Sequence, residues 1–482
     1  MELKRRQFLQ ASLAGAALYT GSGLLFAASA ETKGSALISP GARRSKVRVA
    51  KVYLGIPKAL WPTPKMDVNE EFKAYEAEFE KRAKDFADVE FPVCELVTTP
   101  EQAKEVAAKL ADVDGVLAIH LSMGVMAMLG PILDAKKPTV LFAAPYSGHE
   151  WTGFGGLMRE PEGALLDCIL SSDFDQLAAA VRPFRAIHHL REAKILDVTA
   201  DDVSPDYVKA IKEKFGTEIK TVGRDRMLAA YEAVDVAAAQ AEAKRWMQAA
   251  TKVVEPSTEE IVNSCRLALA FEQLMNEEDA TAITVDCYGS MYRKLPAFPC
   301  IGFTRLNDMG FAGVCESDLM SAMTFILLQA LSGRPGFVSD PTLDESKPGI
   351  ILAHCLGSTK MCGPEGEASP YRIRCIMERQ EGAVTQVFMP INQKTTQAKL
   401  IGTDLMLYFT GDVIEAPDTD RGCRTKITVK VDGDLDYLWQ NWSNSLHRVT
   451  CYGDLTNDLK RFCKFKQIKL VDEAHPVPVT PA

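Results

Sequence analysis

The sequence has no excess of positive charge, and this absence narrows the choice of partners. Its 482 residues include 55 Lys and Arg against 64 Asp and Glu, which gives a formal net charge of −9. Proteins that bind a phosphate backbone or an anionic lipid surface need clustered Lys and Arg. The composition therefore argues against nucleic acid as a partner.

Cysteine is sparse and never closely spaced. The chain has 12 cysteines, and no two of them form a C-x-x-C pair. Such local pairs are typical of iron–sulfur, structural zinc and thioredoxin-like sites. The sequence gives none of these sites support. Because the cysteines stand mostly in apolar runs, we expect them to pack in the core.

A long apolar run occurs only near the N-terminus. Residues 11–28 are mostly apolar, an R-R-x-F-L motif precedes them at residues 5–9, and Ala28-Ser29-Ala30 supplies a cleavage signal. Residues 1–30 thus resemble a twin-arginine signal peptide, which exports folded proteins, and residues 31–46 read as a linker. No later stretch reaches the roughly twenty apolar residues of a membrane span. We expect a mature chain that is soluble, not membrane-bound, and periplasmic or otherwise exported.

Strand and helix patterns predict three domains between the linker and a C-terminal tail at 473–482. Residues 47–190 and 191–347 alternate short β-branched runs with helical patterns, which is typical of parallel sheets covered by helices. Residues 348–472 contain many strand-like runs and few helices. The predicted fold class is α/β, with two Rossmann-like α/β domains followed by a mostly antiparallel, barrel-like β domain.

Two carboxylates in the second domain are candidates for chemistry. Glu316 follows a short apolar run and Asp340 follows another, with an almost wholly apolar helical stretch between them. If this is a βαβ unit, both carboxylates lie at the carboxyl ends of strands in one sheet, where open α/β sheets bind ligands. Alternatively, Glu316 offsets a helix dipole and Asp340 forms a turn before Pro341.

A divalent metal would allow two adjacent carboxylates to ionise together. Oxygen ligands favour a hard cation such as Mn²⁺ or Mg²⁺. Histidine is scarce, with seven in the chain, but His354 ends a predicted strand shortly after Asp340 and His447 begins another. Both histidines could equally be buried structural residues.

Four segments resemble the L-fucose isomerase and L-arabinose isomerase superfamily. The similarity is strong over residues 280–472 and extends to residues 47–190 only at the level of fold. The segments are N-D-M-G-F-A-G-V-C-E-S-D at 307–318, S-D-P at 339–341, A-H-C at 353–355 and H-R-V-T-C-Y-G-D at 447–454.

The resemblance implies a metal-dependent aldose–ketose isomerase acting on an open-chain sugar through an enediolate. Carried over, Glu316, Asp340 and His447 match the Mn²⁺ ligands of the fucose type, and His354 matches the additional arabinose-type histidine. Glu316 and Asp340 would also be the catalytic acid and base. The resemblance further implies a homo-oligomer.

In that family, the first domain reaches towards the site of a neighbouring subunit. His120, His149 and Trp151 are therefore candidates for substrate contact, although local structural roles explain them equally well.

Three other functions fit parts of the sequence. An exported sugar-binding protein would have two α/β lobes but would not need the acidic pair or the third domain. An exported oxidoreductase would carry a G-x-G-x-x-G motif after an early strand, which residues 153–156 do not match. A relative of the isomerases could use the same metal for epimerase or lyase chemistry on a sugar derivative.

Overall fold

The computed structural model describes residues 45–144 and 146–476. The predicted signal peptide, the linker up to residue 44 and the end of the tail lie outside these residues. Within the described part of the chain, no helix is long and apolar enough to cross a membrane.

The first unit is a five-stranded parallel sheet in the order β2-β1-β3-β4-β5. Residues along β1 alternate between two hydrophobic clusters, so the sheet is covered on both faces. Its elements are β1 (Val47–Leu54), α1 (Val68–Lys81), β2 (Val89–Val97), α2 (Pro100–Ala107), β3 (Gly115–His120), α3 (Met126–Asp134), β4 (Thr139–Ala143), α4 (Trp151–Leu157), β5 (Leu166–Leu170) and α5 (Gln176–Glu192).

The second unit is a four-stranded parallel sheet in the order β10-β9-β6-β7. Its elements are β6 (Lys194–Val198), α6 (Pro205–Phe215), β7 (Glu218–Val222), α7 (Arg224–Ala233), α8 (Val236–Ala249), β8 (Lys252–Val253), α9 (Thr258–Glu277), β9 (Ala282–Val285), α10 (Cys300–Asp308), β10 (Ala312–Cys315) and α11 (Leu319–Ser332).

The third unit contains an antiparallel barrel. Its elements are β11 (Phe337–Leu343), β12 (Ile350–His354), β13 (Tyr371–Ile376), β14 (Glu381–Val387), β15 (Gln393–Ile401), β16 (Leu405–Glu415), β17 (Thr425–Val431), α12 (Leu435–Gln440), β18 (Arg448–Tyr452), α13 (Thr456–Lys466) and β19 (Lys469–Asp472). Six strands close on themselves in the order β15-β18-β11-β12-β17-β16, because β16 pairs again with β15. The mixed α/β architecture with parallel sheets before a barrel-like antiparallel domain is as predicted.

The predicted βαβ unit around Glu316 and Asp340 is wrong. Strand β10 pairs in parallel with β9 of the second sheet, whereas β11 is antiparallel to both of its barrel neighbours, β12 and β18. Helix α11 therefore connects two different sheets. The barrel accordingly begins before residue 348, and its β19 (Lys469–Asp472) is a strand that the sequence patterns did not indicate.

Helix α11 is buried along nearly its whole length, which explains its apolar sequence. It packs against α5, against strand β15 of the barrel and against β10. A helix that is apolar on all sides is typical of a protein interior. Since α11 runs directly from the second sheet to the barrel, it fixes the end of β10 relative to the start of β11.

A buried histidine on α5 predicts a pH dependence of stability. His188 Nδ1 lies 2.9 Å from Asp114 Oδ2, and its Nε2 lies 3.5 Å from Glu192 Oε2. Burial alone would lower the pKa of His188, but the hydrogen bonds and charges of Asp114 and Glu192 raise it to about 9. In the unfolded chain a histidine has a pKa of about 6.5.

We therefore expect His188 to stabilise the fold most strongly below about pH 6.5, and this contribution to disappear as the pH rises through about 9. The free-energy difference in unfolding between wild type and His188→Gln should shrink by about 3 kcal/mol between pH 6 and pH 9.5. Urea titrations across that range provide the measurement. A difference that does not change with pH would mean that the pKa of His188 is the same in the folded and the unfolded protein.

Candidate active site and metal centre

The four proposed ligands meet where the second sheet faces one end of the barrel. Glu316 follows β10 directly, whereas Asp340 lies within β11. His354 is the last residue of β12, and His447 immediately precedes β18. Because β18, β11 and β12 are neighbours in the barrel, their three side chains start close together.

Glu316 reaches this site through an unusual turn. Glu316 and Ser317 have φ angles of 67° and 50°, in the left-handed region that residues other than glycine rarely adopt. The Glu316 amide donates to the carbonyl of Val285 at 2.8 Å, and the Ser317 hydroxyl donates to Asp197 Oδ1 at 2.6 Å. Backbone conformations of this kind concentrate at functional sites.

His447 is the centre of the cluster. Its Nε2 lies 3.1 Å from Asp340 Oδ1 and 3.7 Å from Glu316 Oε2. His354 Nε2 lies 3.7 Å from the other carboxylate oxygen of Glu316. One ligand atom from each of Glu316, His354 and His447 fits within 4.8 Å of the others. This spacing lets one cation contact all of them.

Two buried atoms of the cluster also lack hydrogen bonds. Among the described residues, neither His447 Nε2 nor Asp340 Oδ1 has a hydrogen-bond partner, although the two atoms are adjacent. Buried polar atoms without partners are costly, and an ion is one of the groups that can satisfy them. The two imidazoles are buried, whereas the carboxylates of Glu316 and Asp340 are 33% and 30% exposed. The cluster is thus open to a ligand on its carboxylate side.

Asp318 orients His447 and was not singled out from the sequence. His447 Nδ1 lies 2.8 Å from Asp318 Oδ2, which also accepts from Lys399 Nζ at 2.5 Å. Burial would lower the pKa of His447, but the hydrogen bond to Asp318 and the adjacent carboxylate of Asp340 raise it to about 9, so the imidazole is protonated at neutral pH when no cation is bound. In the neutral form that a metal ligand needs, with the proton on Nδ1, the lone pair of Nε2 points into the cluster. A carboxylate behind a metal-binding imidazole is the usual way to fix its tautomer. Asp318 also caps α11, which is the only role that its sequence position indicates.

The cluster shifts the pKa values of its members in opposite directions. Burial and the charge of Asp340 raise the pKa of Glu316, against the opposing effect of His447. Burial would raise the pKa of Asp340, but His447 and His354 lower it. Burial and the nearby charge of His447 lower the pKa of His354 to about 4, so this imidazole is neutral, as a metal ligand must be.

Another carboxylate, that of Asp197, contacts the turn formed by Glu316 and Ser317. Burial and the charge of Asp286 raise the pKa of Asp197 to about 6, despite the hydrogen bond from Ser317. Asp286 in turn accepts from the backbone amides of Gly289 and Ser290. These contacts fix the loop that carries Glu316. Asp197 is the next-to-last residue of β6 and Asp286 directly follows β9, so the position of each residue at a sheet edge was the available signal.

The donor set fits a hard divalent cation. Glu316, His354 and His447 lie close enough together to share one ion, whereas Asp340 is not in that group and adjoins it through His447 Nε2. Mn²⁺ accepts carboxylate and imidazole ligands, and the set contains no thiolate. The orientation of His447 by Asp318 and the two adjacent buried atoms that make no hydrogen bond within the described chain agree with this fit.

His120, His149 and Trp151 do not join this cluster. They line a separate cavity of about 550 Å³ at the carboxyl edge of the first sheet, together with Trp61. The residues that line it, as far as they are described, include none of the four proposed ligands. His120 Nε2 lies 3.0 Å from Glu150 Oε2, which also accepts from the amide of Val125. Glu150 therefore holds the His120 ring in place within a single chain, which is a structural role.

Comparison with known proteins shows a distant resemblance to a sugar isomerase. The sulfoquinovose isomerase of Clostridium sp. (strain MSTE9) is 24% identical over 204 residues, which are 40% of this chain and 44% of the relative. The sulfoquinovose isomerase of Alkalicoccus urumqiensis is 24% identical over 211 residues, or 42% and 46% of the two chains. The match thus spans less than half the length of either relative. No protein-family model matches the sequence.

Replacing Asp318 separates its two contacts experimentally. In Asp318→Asn, Lys399 becomes a buried cation without a counterion, so we expect a loss of about 3 kcal/mol in unfolding free energy. Loss of the charge behind His447 should also weaken Mn²⁺ binding by about 10- to 100-fold. The double variant Asp318→Asn/Lys399→Met should recover stability but not Mn²⁺ affinity. Recovery of both would show that Asp318 acts on the metal site only through folding.

Proposed function

We propose that this protein is a metal-dependent aldose–ketose isomerase of an open-chain sugar. The observation that carries this proposal is the convergence of Glu316, Asp340 and two histidines, with His447 Nε2 and Asp340 Oδ1 buried, adjacent and without hydrogen-bond partners in the described chain. Such a cluster can bind a cation and still present carboxylates to a substrate.

The residues have distinct parts in the proposed reaction. Glu316, Asp340, His447 and His354 would hold Mn²⁺, which supplies charge stabilisation for adjacent sugar oxygens when bound. Glu316 and Asp340, the exposed members, share the proton transfers. One proton leaves the carbon beside the carbonyl and returns to the former carbonyl carbon, while a hydroxyl proton moves between the two oxygens. The species between these transfers is an enediolate.

Asp318 and Asp197 support these residues without touching substrate. Asp318 holds the imidazole of His447, and Asp197 accepts from Ser317 in the turn that carries Glu316. Catalysis of proton transfer depends on such positioning, because acid and base must lie within hydrogen-bond reach of the reacting atoms.

The distant relatives support a sugar as the substrate. Both are named for the isomerisation of sulfoquinovose, and they match this chain over about two fifths of its length. We include sulfoquinovose among the candidate substrates for that reason. We further propose that the chain acts after export, as its N-terminal sequence predicts.

The test is ketose formation from a panel of aldoses with and without added Mn²⁺. The panel contains L-fucose, D-arabinose, L-arabinose, L-rhamnose and sulfoquinovose. Incubation in D₂O should place deuterium on the carbon that receives the proton, because an enediolate exchanges with solvent. Ketose formation without any deuterium would favour direct hydride transfer between the two carbons over the enediolate. Elimination or epimer formation in place of ketose would indicate related chemistry at the same site, and tight sugar binding without turnover would indicate a binding protein.

A further inference from the structure

A second group of potential metal ligands lies beside the proposed active site. Cys355 directly follows His354, and its side chain meets Cys423 and Glu378 from two other loops. One ligand atom from each of the three residues lies within 4.8 Å of the others. The three residues are far apart in sequence, so no C-x-x-C pattern could reveal them.

Polar contacts, in addition to packing, hold this group together. Cys423 Sγ lies 3.4 Å from Glu378 Oε1, and the Tyr288 hydroxyl lies 3.4 Å from Glu378 Oε2 and 3.8 Å from Cys355 Sγ. Tyr288 therefore contacts two of the three residues at once. A hydrogen-bonding group behind the ligands is a common feature of metal sites, because it fixes their orientation.

The group combines a buried sulfur with an open side. Cys355 is buried, Cys423 is partly buried and Glu378 is exposed. A thiol packed for hydrophobicity alone has no need of a carboxylate and a second thiol beside it. Three protein ligands with one open face leave a fourth position for water or another ligand, as in zinc sites with three protein ligands.

We propose that Cys355, Cys423 and Glu378 form a second metal site that takes a borderline-soft divalent cation, for which Zn²⁺ is the best match. Sulfur ligands favour Zn²⁺ over Mn²⁺, whereas the oxygen and imidazole ligands around Glu316 accept Mn²⁺. The protein would thus hold two cations of different chemistry. The consecutive residues His354 and Cys355 would be ligands of different sites.

A cation at this position would join three segments of the barrel domain. It would connect the end of β12 to the turn between β13 and β14, which contains Glu378, and to the loop before β17, which contains Cys423. Because His354 ends β12, the second cation would restrain one ligand of the proposed catalytic metal.

Cobalt provides a direct spectroscopic test. The full chain, with its thiols reduced and bound metals removed, is titrated with Co²⁺. We expect a thiolate-to-cobalt charge-transfer band that saturates within two equivalents, because the proposed active site also takes Co²⁺, and that disappears when excess Zn²⁺ is added. The band reports sulfur ligation only, so Co²⁺ bound among Glu316, Asp340 and the histidines does not contribute to it.

Variants identify the ligands. Cys423→Ser should abolish the band, and Glu378→Gln should weaken Zn²⁺ binding by at least about tenfold. The exposed Cys362 provides the matched control, because Cys362→Ser should retain the full band. His447→Gln should also retain it, which distinguishes this site from the proposed catalytic one. Both informative substitutions lie at positions that are not fully buried, so the variants should remain folded.

Three results would overturn the proposal. One is that no charge-transfer band forms, although a thiol reagent applied to an unfolded sample shows that all 12 thiols are reduced. Another is a band that survives in Cys423→Ser. The third is a Cys355–Cys423 disulfide in protein purified without reductant, found by peptide mapping, because that pair would then be a covalent link and not a metal site.

Discussion

Glu316→Gln and Asp340→Asn should each reduce isomerase turnover by at least about 10³-fold. An amide cannot accept or release the proton that a carboxylate transfers, and it is a weaker ligand for a hard cation. The two side chains are the exposed members of the cluster and contact the same nitrogen, Nε2 of His447. The measurement is turnover at saturating Mn²⁺, so that weaker metal binding alone does not explain the loss.

The matched control for both variants is Glu345→Gln, which removes one negative charge from an exposed residue shortly after β11. This variant should retain full turnover. The melting temperature of Asp340→Asn should stay close to that of the wild type, since its side chain lies at the partly open side of the site. Wild-type turnover in either carboxylate variant would exclude that residue from catalysis.

His447→Gln should bind Mn²⁺ at least about tenfold more weakly than His354→Gln. His447 contacts Glu316, Asp340 and Asp318, so its loss removes a ligand and also the link to Asp318. Among the described residues, the ion pair that His354 makes in the cluster is with Glu316, at 3.7 Å, and its ring meets that of His447 edge-on. Mn²⁺ affinity is measured by isothermal titration of protein freed from metal.

His475→Gln is the control for these histidine variants, because His475 is exposed and forms an ion pair with the nearby Asp472, away from the cluster. It should bind Mn²⁺ like the wild type. Equal affinities in His447→Gln and His354→Gln would contradict the central position given to His447.

The general architecture was predictable from the sequence because local patterns specify it. Strands such as Gly115–His120 and Thr139–Ala143 are nearly continuous apolar runs, typical of a parallel sheet buried on both faces. The sequence of strand Thr425–Val431 instead alternates polar and apolar residues, as expected for an antiparallel barrel. Both patterns depend on neighbours along the chain, so they can be recognised without the fold.

The pairing of strands was not predictable in the same way. An apolar helix between two short strands usually indicates a parallel βαβ unit, yet β11 pairs with β18, a strand more than a hundred residues later. Hydrogen bonds across the barrel decide that pairing, and no local pattern records them. Glu316 and Asp340 nevertheless meet, because α11 carries the chain from the sheet edge to the end of the barrel.

The proposed ligands could be suggested from the sequence, but their supporting residues could not. Glu316, Asp340, His354 and His447 stand in segments that resemble a known family. Asp318 looks like an ordinary helix cap, and Lys399 like a residue of a barrel strand, although the two form a buried ion pair behind His447. Such contacts arise only when strands distant in sequence are brought together.

The most direct test of the account is elemental analysis of the purified protein together with the Mn²⁺-dependent isomerisation assay. We expect bound Mn²⁺, loss of activity when it is removed, and recovery of ketose formation when Mn²⁺ is returned. A chain that binds no divalent metal among Glu316, Asp340, His354 and His447, or that forms ketose equally well without one, would contradict the proposed metal-dependent isomerase.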